Sequence, residues 1–151
     1  MDRTLPLLLK RIATQYPDIA AQYTRSNDGS FSPTSYRDCF HQVLDLAGGL
    51  LSLGHQRGDH IGLIADNRRE WLQSSHAIMS IGAADVPRGC DATEAEITWI
   101  LSFAGCKSAF LENASQARKL LSNRASLPIL THIFLFDYSD GGADGELGAA
   151  L

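Results

Sequence analysis

His60-Ile61-Gly62-Leu63-Ile64-Ala65-Asp66 is the stretch on which the fold turns, because no polar side chain interrupts it between His60 and Asp66. A run that is apolar at successive positions, rather than at alternate ones, suits a strand covered on both faces, as in the middle of a parallel sheet. Upstream, Ser35 can cap a long helix that runs to Leu53, and Gly54 stands where a helix closes in a left-handed residue. That helix carries apolar residues at 36, 40, 43, 44, 47, 50 and 51, with a second row at 39, 46 and 53. So wide an arc predicts burial on more than one side. Downstream, Asp66 or Asn67 can cap a helix carrying Trp71, Ile78 and Ile81, with Ser74 and Ser75 small enough for close packing on a sheet.

The pattern then repeats. Residues 84–87 read as a short strand, and Thr93-Glu94-Ala95-Glu96 as a capping box that opens a helix with apolar positions at 97, 100, 101 and 104, ended by Gly105. Residues 107–112 form a further strand, Asn113 to Gln116 a second capping box, Leu120-Leu121 the apolar face of a short helix, and Pro128 precedes the last strand at 131–136. Alternation of this kind builds right-handed β-α-β units. The predicted fold is α/β, a doubly wound, mostly parallel sheet with helices on both faces. At the amino end, apolar residues at 5, 8, 9, 12 and 13 mark an amphipathic helix closed by Tyr16-Pro17. Residues 19–26 and 30–33 then read as a small β-hairpin turning at Asn27-Asp28-Gly29. No Lys-Ser/Thr pair and no helix directly follow that glycine, so a turn is preferred to a phosphate-cradling loop.

With 151 residues, 44% of them hydrophobic, the chain has the length of one domain with a core that needs no staples. Cysteines at 39, 90 and 106, without a C-x-x-C pair or a secretory leader, point to a reducing compartment, with the cytosol as the default. No apolar run approaches the roughly 18 residues of a transmembrane helix. The net charge of −4 speaks against nucleic acid as a partner, since that binding depends on clustered Lys and Arg. Residues 1–136 hold all 13 Lys and Arg and 13 of the 17 Asp and Glu, so the excess acid belongs to the end of the chain. The boundaries are therefore set at 1–137 for the α/β unit and 138–151 for a flexible, acidic, glycine-rich tail or linker.

Parallel α/β sheets bind ligands at the carboxyl ends of their strands, which directs attention to residues 65–68, 87–93 and 112–115. In the first, Asp66, Asn67 and Arg68 are read as a helix start before they are read as ligand contacts. In the second, Arg88, Gly89, Cys90 and Asp91 put a cation, a glycine, a thiol and a carboxylate together. Arg88 could fork onto a phosphate or carboxylate, or pair with Asp85 or Asp91 to fix the loop; both readings stay open. Glu94 and Glu96 resemble an acid-base pair, but both sit in a first helical turn, where negative charge is favoured by the dipole. Gly48, Gly49 and Gly54 lie within and at the end of a helix, so no dinucleotide fingerprint forms, and no Walker loop exists. Cys39 and His41 point in different directions on one helix, the other histidines are scattered, and no metal site is expected. No serine has nucleophile-elbow context, so no catalytic residue is assigned.

Ser35-Tyr36, Leu46-Ala47-Gly48-Gly49-Leu50, Leu53-Gly54, Gly58-Asp59, Asn67-Arg68-Arg69-Glu70-Trp71, Ile81-Gly82-Ala83 and Val86-Pro87 occur in one order and spacing. Together they resemble the amino-terminal part of the AMP-forming acyl-CoA synthetases, over about residues 4–136. Val86-Pro87-Arg88-Gly89, followed by Thr93, Glu96, Ile97 and Ile100-Leu101, is similar to the long-chain fatty acid CoA ligase branch. The resemblance implies a subdomain of a larger adenylate-forming ligase that joins a fatty acid to CoA through an acyl-adenylate, with ATP, magnesium and CoA used by the full-length enzyme. The family's Ser/Thr/Gly-rich loop ending in Pro-Lys-Gly, its magnesium-binding Glu, its ribose-binding Asp and its carboxy-terminal lysine have no counterparts in this sequence. The resemblance therefore implies a fragment that binds no cofactor and is inactive alone, partnered by the remainder of the ligase chain. It also implies a dimer surface in some relatives, hence a homodimer as a further expected partner. Arg88, Gly89 and Asn67 are the residues expected near the substrate or CoA, and the expected place is the cytoplasm or the periphery of a membrane.

The alternative from a different class is a free-standing interaction or dimerisation module with the same fold and no catalysis. A response-regulator-like domain would need an acidic cluster after the first parallel strand, where Asp66 stands alone.

Overall fold

The computed structural model describes residues 4–26 and 28–138, so all of the tail expected at 138–151 except Tyr138 lies outside the described residues. The chain divides into two compact units. The first comprises Met1–Gly58 and Asn67–Ala83, the second Asp59–Asp66 and Ala84–Leu151.

In the first unit, α1 (Leu5–Gln15) is capped by the Thr4 hydroxyl and buries Leu9 and Ala13, as its stripe predicts. β1 (Ala20–Arg25) pairs antiparallel with β2 (Phe31–Ser35), with Tyr23 opposite Pro33. In the turn, Gly29 takes a φ of +86° and Asp28 Oδ1 accepts from the Ser30 amide at 2.9 Å. The Ser35 hydroxyl caps α2 (Tyr36–Ser52), accepting from the Asp38 N–H at 3.1 Å. Beyond α2, the Gly54 N–H returns to Leu51 O and the His55 N–H to Leu50 O, a closure that takes up two of the helix's last carbonyls.

Two expectations for this unit are corrected. α2 is not buried on more than one side. Cys39, Val43, Ala47 and Leu50 form a single buried stripe, while Leu44, Leu51 and Leu53 remain exposed. Within the unit α2 packs against α1, α3 and the hairpin, and those contacts occupy one stripe of the helix although its apolar residues spread wider. The cap of α3 (Arg69–Ser80) is neither Asp66 nor Asn67. Arg68 holds that position without a side-chain cap bond. Its Nε instead grips Glu70 Oε2 at 2.8 Å, while Arg69 Nη2 reaches Glu70 Oε1 at 3.1 Å. Burial alone would raise the pKa of Glu70, but the bonds from Arg68, its own backbone and Arg69, with the Arg68 charge, hold it below the usual 4.5.

The second unit is built on four parallel strands in the order β4-β3-β5-β6: β3 (His60–Ile64), β4 (Ala84–Arg88), β5 (Ser108–Asn113) and β6 (His132–Asp137). β3 is central, and Ile61, Leu63 and Ile64 are all fully buried, which confirms the two-sided covering read from its unbroken apolar run. Helices α4 (Glu94–Phe103) and α5 (Ala114–Leu121) supply Ile97, Leu101, Ala117 and Leu120 to a core shared with Ile64, Ala109 and Leu111. Gly62 makes this packing possible. A Cβ there would overlap Leu101 Cδ2 and stand 3.1 Å from Ala109 Cβ. The capping box of α4 forms in both directions: Thr93 Oγ1 accepts from the Glu96 N–H at 3.3 Å, and Glu96 Oε2 from the Thr93 N–H at 2.8 Å. Asn113 caps α5, accepting from the Gln116 N–H at 3.3 Å. The expected α/β class, parallel sheet and hairpin are present. Not foreseen is an exposed aromatic pair on α4: Trp99 and Phe103, 64% and 79% exposed, stack with ring centroids 5.0 Å apart.

Candidate functional site

The chain passes from β3 outward to β4 and then crosses to β5 on the other side, so the carboxyl ends of β3 and β5 flank the point where the winding reverses. In sheets of this kind that crevice is where ligands settle. Within the second unit it is bordered by Asp66 after β3, Arg88 at the end of β4 and residues 89–92 after it, and Glu112 and Asn113 at the end of β5.

Side chains from one connection hold the backbone of another. The Asp66 N–H donates to Glu112 Oε2 at 3.2 Å, and Asp66 Oδ1 accepts from the Cys90 N–H at 3.0 Å. Asp66 thus caps no helix; its carboxylate serves a donor 24 residues further along the chain. From α5, Lys119 Nζ donates to Cys90 O at 3.1 Å and Ala92 O at 2.8 Å, and Gln116 Nε2 to Cys90 O at 3.4 Å. At Gly89 a Cβ would stand 2.8 Å from Asp91 Oδ1 and 3.3 Å from Asp66 Oδ1, so a side chain there would press on both carboxylates.

Within the loop Arg88 pairs with Asp91 rather than with Asp85. Its Nη1 lies 2.8 Å from Asp91 Oδ1 and its Nη2 4.0 Å from Glu96 Oε1. Asp85, the other candidate, is three residues back along a strand and so on the opposite face. Arg88 and Gly89 come together at the end of β4, whereas Asn67 belongs to the first unit, one residue ahead of the α3 cap. Burial, followed by the charges of Asp66 and Glu112, pushes the Cys90 thiol above its usual 9.0, so at neutral pH it is not a thiolate nucleophile. Cys39 is buried on α2 while His41 on the same helix is exposed. Among the described residues no group of three His, Cys, Asp or Glu could hold a metal ion, and no helix is long and apolar enough to cross a membrane. The arrangement can offer a polar molecule a fixed loop edged by a guanidinium and backbone groups. Sequence reasoning missed Gln116 and Lys119. Their only signal was two long polar residues at i and i+3 on a helix that otherwise buries Ala114, Ala117 and Leu120.

A family model described as AMP-binding enzyme matches residues 9–149. The chain belongs to the AMP-binding enzyme family. Among curated relatives, the long-chain-fatty-acid–CoA ligase FadD15 of Mycobacterium tuberculosis is 29% identical over 111 residues, 74% of this chain and 18% of the relative. The acyl-CoA ligase SID4 of Ajellomyces capsulatus is 41% identical over 110 residues, 73% of this chain and 18% of the relative. The crystal structure of the N-terminal domain of FACL13 from Mycobacterium tuberculosis superposes with a TM-score of 0.79 at 23% identity, over 90% of this chain and 34% of that one, which shows a shared fold. The matched segment thus spans about a fifth of the length of these curated ligases.

Proposed function

We propose that this chain is the N-terminal α/β part of a long-chain fatty acid CoA ligase, forming scaffold beside the acyl and CoA channels and inactive when alone. The observation that carries this reading is the family match over 9–149, with a long-chain fatty acid CoA ligase among the curated relatives. In the complete enzyme the fatty acid carboxylate and ATP give an acyl-adenylate with release of pyrophosphate, and the CoA thiol then displaces AMP to give the acyl-CoA thioester. The residues present here do not suit ATP and magnesium: the sequence has no Pro-Lys-Gly phosphate loop, and the described residues offer no metal-binding group. No catalytic step is therefore assigned to this chain.

The contribution proposed is positional, with Arg88 and Gly89, and Asn67 from the first unit, near the substrate or CoA. A cytoplasmic place of action, at a membrane surface where long acyl substrates reside, accompanies this reading. Titration of the ¹⁵N-labelled chain with CoA tests the loop assignment. Amide shifts at Arg88–Asp91 are expected, and shifts confined to other segments contradict it.

The exposed stacking of Trp99 on Phe103 favours a second reading, a module that dimerises or docks through α4 without catalysis. Sedimentation separates the two: a monomer at all concentrations removes the dimerisation reading, including the homodimer.

A further inference from the structure

We infer that Lys119 and Gln116, together with Asp66, are positioning residues that lock the connection between β4 and α4. The functional consequence, though not the geometry, rests on reading that connection as CoA-proximal.

Both backbone polar groups of Cys90 are taken up by side chains remote in sequence. Its N–H goes to Asp66, 24 residues away, and its C=O receives Gln116 and Lys119, 26 and 29 residues away. The connection's own backbone supplies only the bond from the Ala92 N–H to Gly89 O, at 3.3 Å. Lys119 spends two of its three donors on carbonyls, Cys90 O and Ala92 O. A charged donor on a carbonyl is stronger than a neutral one, and a carbonyl that loses its partner in a part-buried place is left unsatisfied. Gln116 is almost fully buried with its Nε2 on the same carbonyl, so two side chains one helical turn apart close on a single peptide group.

Asp66 holds the opposite side of that residue while its own N–H is held by Glu112. Contacts therefore run from the end of β3 through the connection after β4 to the end of β5 and into α5. The connection is thus held at Cys90 from both sides, by Asp66 on its N–H and by Gln116 and Lys119 on its carbonyl. Arg88, immediately before it, is presented from a set base, and a ligand that meets this edge loses less freedom in ordering it.

Hydrogen exchange at the Cys90 and Ala92 amides of the whole chain tests the inference. In Lys119→Met these two amides are expected to exchange at least about tenfold faster, equivalent to about 1.4 kcal/mol, while Leu63 in β3 and Leu111 in β5 keep their protection. Lys119→Arg is expected to recover most of the protection, because a guanidinium can serve two carbonyls. If Lys119→Met does not fold, Gln116→Met reads out the same effect on a smaller scale. Unchanged exchange at Cys90 and Ala92, or equal acceleration in the strands, overturns the inference. The CoA titration on the same samples separates the two claims. Local acceleration without any CoA response at Arg88–Asp91 supports the positioning role and contradicts the CoA reading.

Discussion

Gly62→Ala is the substitution whose outcome the fold fixes most tightly. The added methyl overlaps Leu101 Cδ2 and meets Ala109 Cβ at 3.1 Å, and both neighbours are fully buried, so neither can swing into solvent. Overpacking of this kind costs about 1–3 kcal/mol. Leu101→Ala alone opens a cavity beneath α4 and costs about 2–5 kcal/mol. Combined, the new methyl occupies part of the space that Leu101 vacates, and the double variant should be about 1–2 kcal/mol less destabilised than the sum of the singles. Urea unfolding followed by circular dichroism, with the slope shared across the four proteins, measures the coupling. In melting temperature each kcal/mol corresponds to roughly 2–4 °C for a chain of this size. Additivity within about 0.5 kcal/mol, or a neutral Gly62→Ala, would refute the packing of α4 directly on β3.

Glu70, held below 4.5 by Arg68 and Arg69 against the effect of its burial, gives a pH dependence of known sign. A lowered folded pKa means the unfolded chain binds protons first, so the stability contributed is complete above 4.5 and is lost as pH falls through the folded value. Glu70→Gln should flatten that part of the acid limb, and an unchanged limb in a urea series from pH 6 to 3 contradicts the pairing. All three thiols are raised, that of Cys106 to about 11, but Cys39 and Cys106 are buried while Cys90 is only half-buried, so a disulfide reagent at pH 8 should modify Cys90 first, and slowly, in the folded chain and all three cysteines in urea. Reaction of all three at one rate before unfolding would contradict the burial.

The elements that could be read from sequence were those whose signal is local or absolute. The two-sided burial of β3 leaves no polar residue between His60 and Asp66, and the α4 box needs only Thr93 and Glu96 three residues apart. α2 was overestimated because periodicity counts apolar residues without knowing how many will find a partner; Leu44 and Leu51 did not. Asp66 was taken for a helix cap because capping preferences see the next turn and not the Cys90 N–H on a neighbouring connection. Which acid Arg88 pairs with inside its loop, Asp85 or Asp91, was open in the sequence and settled only by the placement of Asp91. The Lys119 and Gln116 contacts join segments more than 25 residues apart, and nothing in the intervening sequence marks them.

On the proposed function, this chain carries scaffold and loop of an AMP-forming ligase while adenylation requires the rest of the enzyme. ATP–pyrophosphate exchange with palmitate, CoA and magnesium, run on the 151-residue chain alone, tests it most directly. Exchange is expected at the protein-free background; palmitate-dependent exchange above that background would show that the chain adenylates by itself and overturn the scaffold reading.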